Sequence, residues 1–250
     1  MKKETIYSNY GIEYKAGKIL SPAGEWIAPL LKKGNSKTGK AVFTYSQLPT
    51  NDLFDTSYGV VSGTCPCHCS DCYACTGFYN MANVKNTLAL NTIITRKNID
   101  FKKAAIIAQI KADNITIVRI HAAGDFDSTN DVNVWIDIVN ACPDTLFWTY
   151  TKRDFSEIQT LNALSNINIV PSIVCGHLNY GTCLDLLELK KAIPGAYICP
   201  CGFDEATHCD SCKACATKTN VIFLLHSTSN YNAVNDPLYS ILKKEFEKQL

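Results

Sequence analysis

The sequence has almost no net charge, since 24 basic residues stand against 23 acidic ones for a balance of +1. That argues against a protein that lives by coating nucleic acid or an anionic membrane, although a local basic groove is compatible with it. No stretch approaches the roughly 18–20 apolar residues of a membrane span. The first residues, Met1 to Tyr10, lack the apolar run of a signal peptide. The expectation is a cytoplasmic protein with no membrane partner. Internal repeats and low-complexity linkers are also missing, which favours one main domain. A chain of this length can bury about three quarters of the surface its unfolded form exposes.

What the sequence has in quantity is cysteine, with 13 residues. In a reducing compartment this is not a disulfide scaffold. Ten of the cysteines fall in two groups, and that grouping points to metal. The first group is Cys65, Cys67, Cys69, Cys72 and Cys75. Thiolates are soft ligands that select zinc, copper(I) or iron–sulfur clusters. Cys65, Cys69 and Cys72 can place three thiolates around one centre and leave a position open for chemistry. Cys69, Cys72 and Cys75 form a ferredoxin-like register, and a structural zinc site would take four protein ligands. We place the Cys65, Cys69, Cys72 register first, with Cys67 open as the middle ligand. The second group is Cys199, Cys201, Cys209, Cys212 and Cys215, with His208 adjacent. Cys199, Cys209, Cys212 and Cys215 would fill four positions on either zinc or a four-iron cluster, in a structural or electron-transferring role. Cys142, Cys175 and Cys183 lie apart.

Hydrophobic periodicity predicts helices over 78–98, 101–112 with Asp100 as N-cap, from Ser128 onward, over 154–164 and 182–191, and after Asn235-Asp236-Pro237. Apolar, β-branched strands are expected at 41–45, 115–121, 145–151, 167–174, 195–199 and 220–226. Such alternation means a parallel sheet covered on both faces or closed into a barrel. The expected fold is α/β, a partial parallel barrel of about six strands over 58–250. An irregular N-terminal elaboration would occupy 1–57, and a cysteine-rich loop would lie toward the C-terminus.

Sites in these folds lie at the carboxyl ends of the strands. The groups expected there are the first cysteine loop, His121 with Gly124 and Asp125, Lys152 and Arg153, Cys175 and His177, the second cysteine group, and His226. Gly124 would let a ligand approach the backbone, and Asp125 could accept from an ammonium group or simply hold its loop. Lys152 and Arg153 could pair with a carboxylate or phosphate. Gly34 to Lys40 echoes a phosphate loop, but Ala41 stands where a Ser or Thr would hold magnesium. We read it as a solvated turn.

Taken together, Cys65-x3-Cys69-x2-Cys72, the turn Ala123-Gly124-Asp125 and the β–α series resemble radical S-adenosylmethionine enzymes. The resemblance implies a four-iron cluster on three cysteines, with S-adenosylmethionine held by its open iron. It also implies His121, Ala123, Gly124, Asp125, Tyr73, Lys152 and Arg153 as cofactor-binding residues, and an external electron donor. The sequence departs from that pattern at Asp71, where an aromatic is usual, and at Ala123, where a second glycine is usual. A closer similarity, over about residues 34–228, is to the phage family called gene product 88. It rests on Gly34 to Lys40, Thr64-Cys65-Pro66 with Cys72-Tyr73-Ala74, Val118 to Phe126, Phe147 to Lys152, and Cys209-x2-Cys212-x2-Cys215. The competing expectation is a non-catalytic zinc-stapled module that binds a nucleic acid or a host protein.

Overall fold

The computed structural model describes residues 2–34, 38–67, 72–174, 177–178, 180–203, 207–217, 220–224 and 232–249. Its centre is a sheet of β1 (Lys32–Lys33), β2 (Val42–Tyr45), β3 (Ile117–Ile120), β4 (Leu146–Thr151) and β5 (Ile167–Pro171). Their spatial order is β5-β4-β3-β2-β1. Strands β2 to β5 are parallel, and β1 closes the edge antiparallel to β2. Because side chains alternate across a strand, Tyr45, Val118, Ile120 and Phe147 share one face and join the main core. That core is completed by α2 (Ile99–Asp113) and α3 (Thr129–Ala141), through residues such as Ile106, Trp135 and Ile138. Helix α1 (Ala82–Lys97) precedes them, and α4 (Phe155–Asn162) follows β4 and turns Leu161 inward.

The other face of the sheet carries Val42, Ile117 and Trp148, and it is covered by Ala216 from the second cysteine segment. That segment contains two short helices, α6 (Cys209–Cys212) and α7 (Ala214–Thr217). Before it come β6 (Tyr180–Gly181), α5 (Cys183–Ala192) and β7 (Tyr197–Ile198); after it come β8 (Val221–Leu224) and α8 (Tyr239–Glu247). Strand β8 pairs parallel with both β6 and β7. A second core of Leu186, Ile198, Ile222, Leu242 and Phe246 seals this sheet against α5 and α8.

The fold is mixed α/β, and its described strands do not form one sequential run of six. The last strand, β8, lies between β6 and β7, and among the described residues the two parallel sheets are not joined by strand pairing. The strand expected over 167–174 is divided: β5 ends at Pro171, and Ile173–Val174 pair antiparallel with His177–Leu178. Strand β2, from the segment expected as an N-terminal elaboration, is an inner strand paired with β3. Asp100 is not an N-cap: α2 begins at Ile99 with Asn98 in the cap position, and Asp100 stands in the first turn, where its charge favours the helix dipole. Ser128 does cap α3, accepting from the Asp131 N–H at 3.3 Å. No described helix is long and apolar enough to cross a membrane.

Candidate functional site: two thiol-rich segments on one sheet

The first cysteine loop is fastened to the carboxyl end of the sheet by backbone. As β2 ends, Ala122 N–H donates to Tyr45 O at 3.2 Å and Gln47 N–H donates to Ala123 O at 2.9 Å. The next layer is set by Thr64 N–H on Leu48 O at 3.0 Å and Cys65 N–H on Thr50 O at 2.9 Å. Three segments thus run close together, and two glycines permit it. A Cβ on Gly63 would lie 2.0 Å from Pro49 O, and one on Gly124 would lie 2.8 Å from Thr64 Oγ1 and 2.9 Å from Gln47 O. Gly124 also holds φ of +79°, a left-handed conformation that favours glycine. Its smallness serves the chain's own packing and not a ligand's approach.

Around this rim Cys65 and Cys75 are both electrostatic neighbours of Cys72. Burial pushes the Cys65 thiol up to about 12, with Asp125 raising it further and Lys152 opposing. Burial likewise raises Cys75 to about 11, and its thiol is in hydrogen-bond contact with Cys72. Cys69, the expected middle ligand, lies outside the described residues, as do Cys175 and His226 and the side chain of His177. Lys152 is therefore the cation beside Cys65. Tyr73 is half exposed; its hydroxyl donates to Ala122 O and accepts from Arg119 Nη2 at 3.2 Å.

The residues expected to bind a cofactor at the Ala123-Gly124-Asp125 turn are packed inward instead. Ala123 belongs to a small core with Leu48, Val61, Ala74 and Leu88. The Asp125 carboxylate is buried and already takes Phe126 N–H at 2.8 Å, Thr151 Oγ1 at 2.7 Å and Lys152 N–H at 2.8 Å. Burial raises its pKa, and those three bonds oppose the rise. Asp125 clamps its loop to the end of β4, and in this arrangement an ammonium group finds no open face on it. Arg153 is spent the same way, since Nε and Nη2 both reach Phe126 O, at 3.0 and 2.7 Å, and Nη2 reaches Asp127 O at 2.8 Å.

His121 turns away from the rim into the core, at φ of +57° and 2 % exposed. Its Nε2 lies 3.1 Å from Gln47 Nε2, and the same Gln47 nitrogen donates to Asp131 Oδ2 at 3.1 Å. Behind them Lys102 and Asp131 form an ion pair with both side chains fully buried. The Lys102 ammonium also sits 4.7 Å from the centre of the Tyr45 ring and 5.1 Å from that of Trp135. Burial pushes Lys102 down and would push Asp131 up, but the ammonium's charge and hydrogen bonds hold Asp131 below the usual carboxylate range. Next to this pair, burial drives His121 down to about 3, so it is neutral.

The second cysteine segment lies against the open face of the sheet. Cys199 N–H donates to Ile222 O at 2.9 Å, and Asn168 of β5 holds Cys215 O at 2.8 Å through its side-chain amide. Helix α6 puts Cys209 and Cys212 one turn apart, with the His208 carbonyl accepting from Cys212 N–H at 2.9 Å. Cys199, Cys201, Cys209, Cys212, Cys215 and His208 line one cavity of about 20 Å³, whose floor includes Trp148 and Val221. Among the described residues no three Cys, His, Asp or Glu side chains already stand round a common point as a bound ion requires. The chemistry of the donor set fits a soft metal all the same, since five thiols and an imidazole share this cavity.

The turn that echoes a phosphate loop meets this segment. A Cβ on Gly39 would lie 2.0 Å from Asp210 Oδ2, and Asp210 N–H donates to Thr38 O at 3.1 Å. The anion at that glycine is the chain's own carboxylate; residues 35–37 are outside the described set.

Two residues missed in the sequence link the segments. Arg119 of β3 reaches Tyr73 on one side and lies 5.4 Å from the Tyr150 ring on the other. Tyr150 in turn hydrogen-bonds the Cys215 sulfur. The available signal was Arg119 as the one charge inside an apolar strand, on the same side of the pleat as Ile117.

A family model described as Gene product 88 matches residues 29–200. The match takes in the central sheet and the first cysteine loop and ends at Pro200, so the Cys209 to Cys215 run lies beyond it. No curated protein and no solved structure matches the chain, and these comparisons give no support to the likeness with radical S-adenosylmethionine enzymes.

Proposed function

The chain belongs to the gene product 88 family, and we propose that it is a thiolate metalloprotein with an iron–sulfur centre on the first loop and a second metal centre between Cys199 and Cys215. The observation that carries this reading is that two cysteine-rich segments, far apart in sequence, converge on one parallel sheet, one at its carboxyl rim and one over its face. Cys65 and Cys72, with Cys69, would hold the first centre; Cys199, Cys209, Cys212 and Cys215 supply donors for the second. An iron–sulfur centre with an open position supplies one-electron chemistry and a place to bind a substrate or cofactor. Around it the chain's residues have defined tasks. Lys152 sets a positive charge beside Cys65, Tyr73 covers the loop and ties it to Ala122 O, and the Asp125 clamp fixes the strand end on which Lys152 stands.

S-adenosylmethionine as the bound cofactor was expected to meet Gly124 and Asp125, and those residues do not fit it here, so no step is derived through it. The rim position of the first centre favours a redox enzyme with an external electron donor and an unidentified small-molecule substrate. The cavity of about 20 Å³ favours the zinc-staple reading for the second centre alone. Iron, acid-labile sulfide and zinc are to be measured on protein purified and reconstituted without oxygen, in the wild type and in Cys72→Ser. The expected result is a brown protein whose iron and sulfide disappear in Cys72→Ser while the second centre stays loaded. Stoichiometric zinc with no iron after reconstitution would refute the enzyme reading.

A further inference from the structure

We propose that the second centre is a mononuclear zinc site in which His208 Nδ1 is one of four ligands, with three of the donors Cys199, Cys209, Cys212 and Cys215. The inference rests on reading this segment as a metal centre. Its first support is a buried orphan: His208 Nδ1 is shut off from solvent and has no hydrogen-bond partner among the described residues. A buried ring nitrogen without a partner costs about 1–3 kcal/mol, and the cavity that His208 lines is walled by five cysteines. The lining offers that nitrogen thiols, which are weak donors, and the polar ends of Thr207 and Lys213; an ion is the group that the imidazole and the thiols would both bind.

The second support is space. A cavity of about 20 Å³ has room for roughly one water-sized body. A single zinc ion fits that description. The third is which sulfurs face one another. Cys199 is an electrostatic neighbour of Cys215 and Cys209, and Cys215 is in turn a neighbour of Cys209. Cys215 is also a neighbour of Cys212, and Cys199 of Cys201. Three of these thiols plus one imidazole would make the closed four-coordinate set of a structural zinc site. On binding, each thiol gives up its proton and the three thiolates and the imidazole close on the metal.

The test uses the full chain carrying Cys65→Ser and Cys72→Ser, so that the first loop is silent, with Zn²⁺ and Co²⁺ as probes. One ion should bind per chain, and the cobalt form should show tetrahedral bands with the charge-transfer intensity of three thiolates. His208→Ala should weaken the ion about a hundredfold, and His208→Cys should restore one ion with four-thiolate intensity. Zinc X-ray absorption on the double-serine chain needs no change at His208. It should give three sulfurs at about 2.3 Å and one nitrogen at about 2.0–2.1 Å. Four sulfurs, unchanged affinity in His208→Ala, or iron with sulfide at this segment would overturn the His208 assignment while leaving a metal centre in place. A chain that takes up no metal here would overturn the assignment together with the two-centre reading it rests on.

Discussion

Arg119 donates from Nη2 to the Tyr73 hydroxyl at 3.2 Å, which joins the middle of the sheet to the loop that carries Cys72 and Cys75. Its Nε is buried without a hydrogen-bond partner among the described residues, and its other face covers Tyr150, which holds Cys215. A guanidinium is always charged, so both thiol segments lie in its field.

Arg119→Gln should therefore lower the midpoint potential of the first centre. Removing a positive charge disfavours the more negative, reduced state. The expected shift is on the order of tens of millivolts downward, read by potentiometric titration of the reconstituted protein. Tyr73→Phe should move it in the same direction by less, since the charge stays while its tether to the loop is lost.

Lys102 and Asp131 form the buried ion pair at the centre of the main core. Lys102→Met or Asp131→Asn alone leaves an uncompensated buried group and should cost about 3–5 kcal/mol. The double replacement should be less damaging than the sum of the two. Urea unfolding of the four proteins in a cycle measures this; strict additivity would mean that the pair is not coupled.

The pH dependence of stability should carry a contribution from His121, whose pKa falls from 6.5 to about 3 on folding. Below 6.5 the unfolded chain binds a proton that the folded core excludes. Stability from neutral His121 is thus complete above about 6.5 and is lost as pH falls toward about 3, at roughly 1.4 kcal/mol per pH unit. Asp131 and Lys102 face the ring and act on its pKa in opposite senses. His121→Gln should flatten the slope between pH 6.5 and 4.5 in urea titrations, and an unchanged slope would place the proton elsewhere.

Asp125→Ala should act on folding first. It strands the Thr151 hydroxyl and the N–H groups of Phe126 and Lys152, at about 1–3 kcal/mol for each buried group left unsatisfied. Thermal unfolding should show a large loss of stability, with the iron content per folded molecule retained. Iron lost from a protein of unchanged stability would make Asp125 part of the metal site.

Much of the fold follows from local pattern. The strands at β3 and β4, the Ser128 cap and the helices around them are legible because apolar periodicity and capping chemistry act over a few residues. The cysteine spacings likewise mark out two thiol-rich segments, each with the donor chemistry of a soft metal. What the sequence could not decide is which way each loop residue faces. Gly124 and Asp125 read equally as a ligand cradle and as a packed turn, and only the approach of Gln47, Thr64 and Lys152 from distant segments makes them the second. Strand order within the second sheet and the meeting of both thiol segments across Arg119 are likewise long-range outcomes. They depend on which buried faces find each other, and a one-dimensional pattern does not encode that choice.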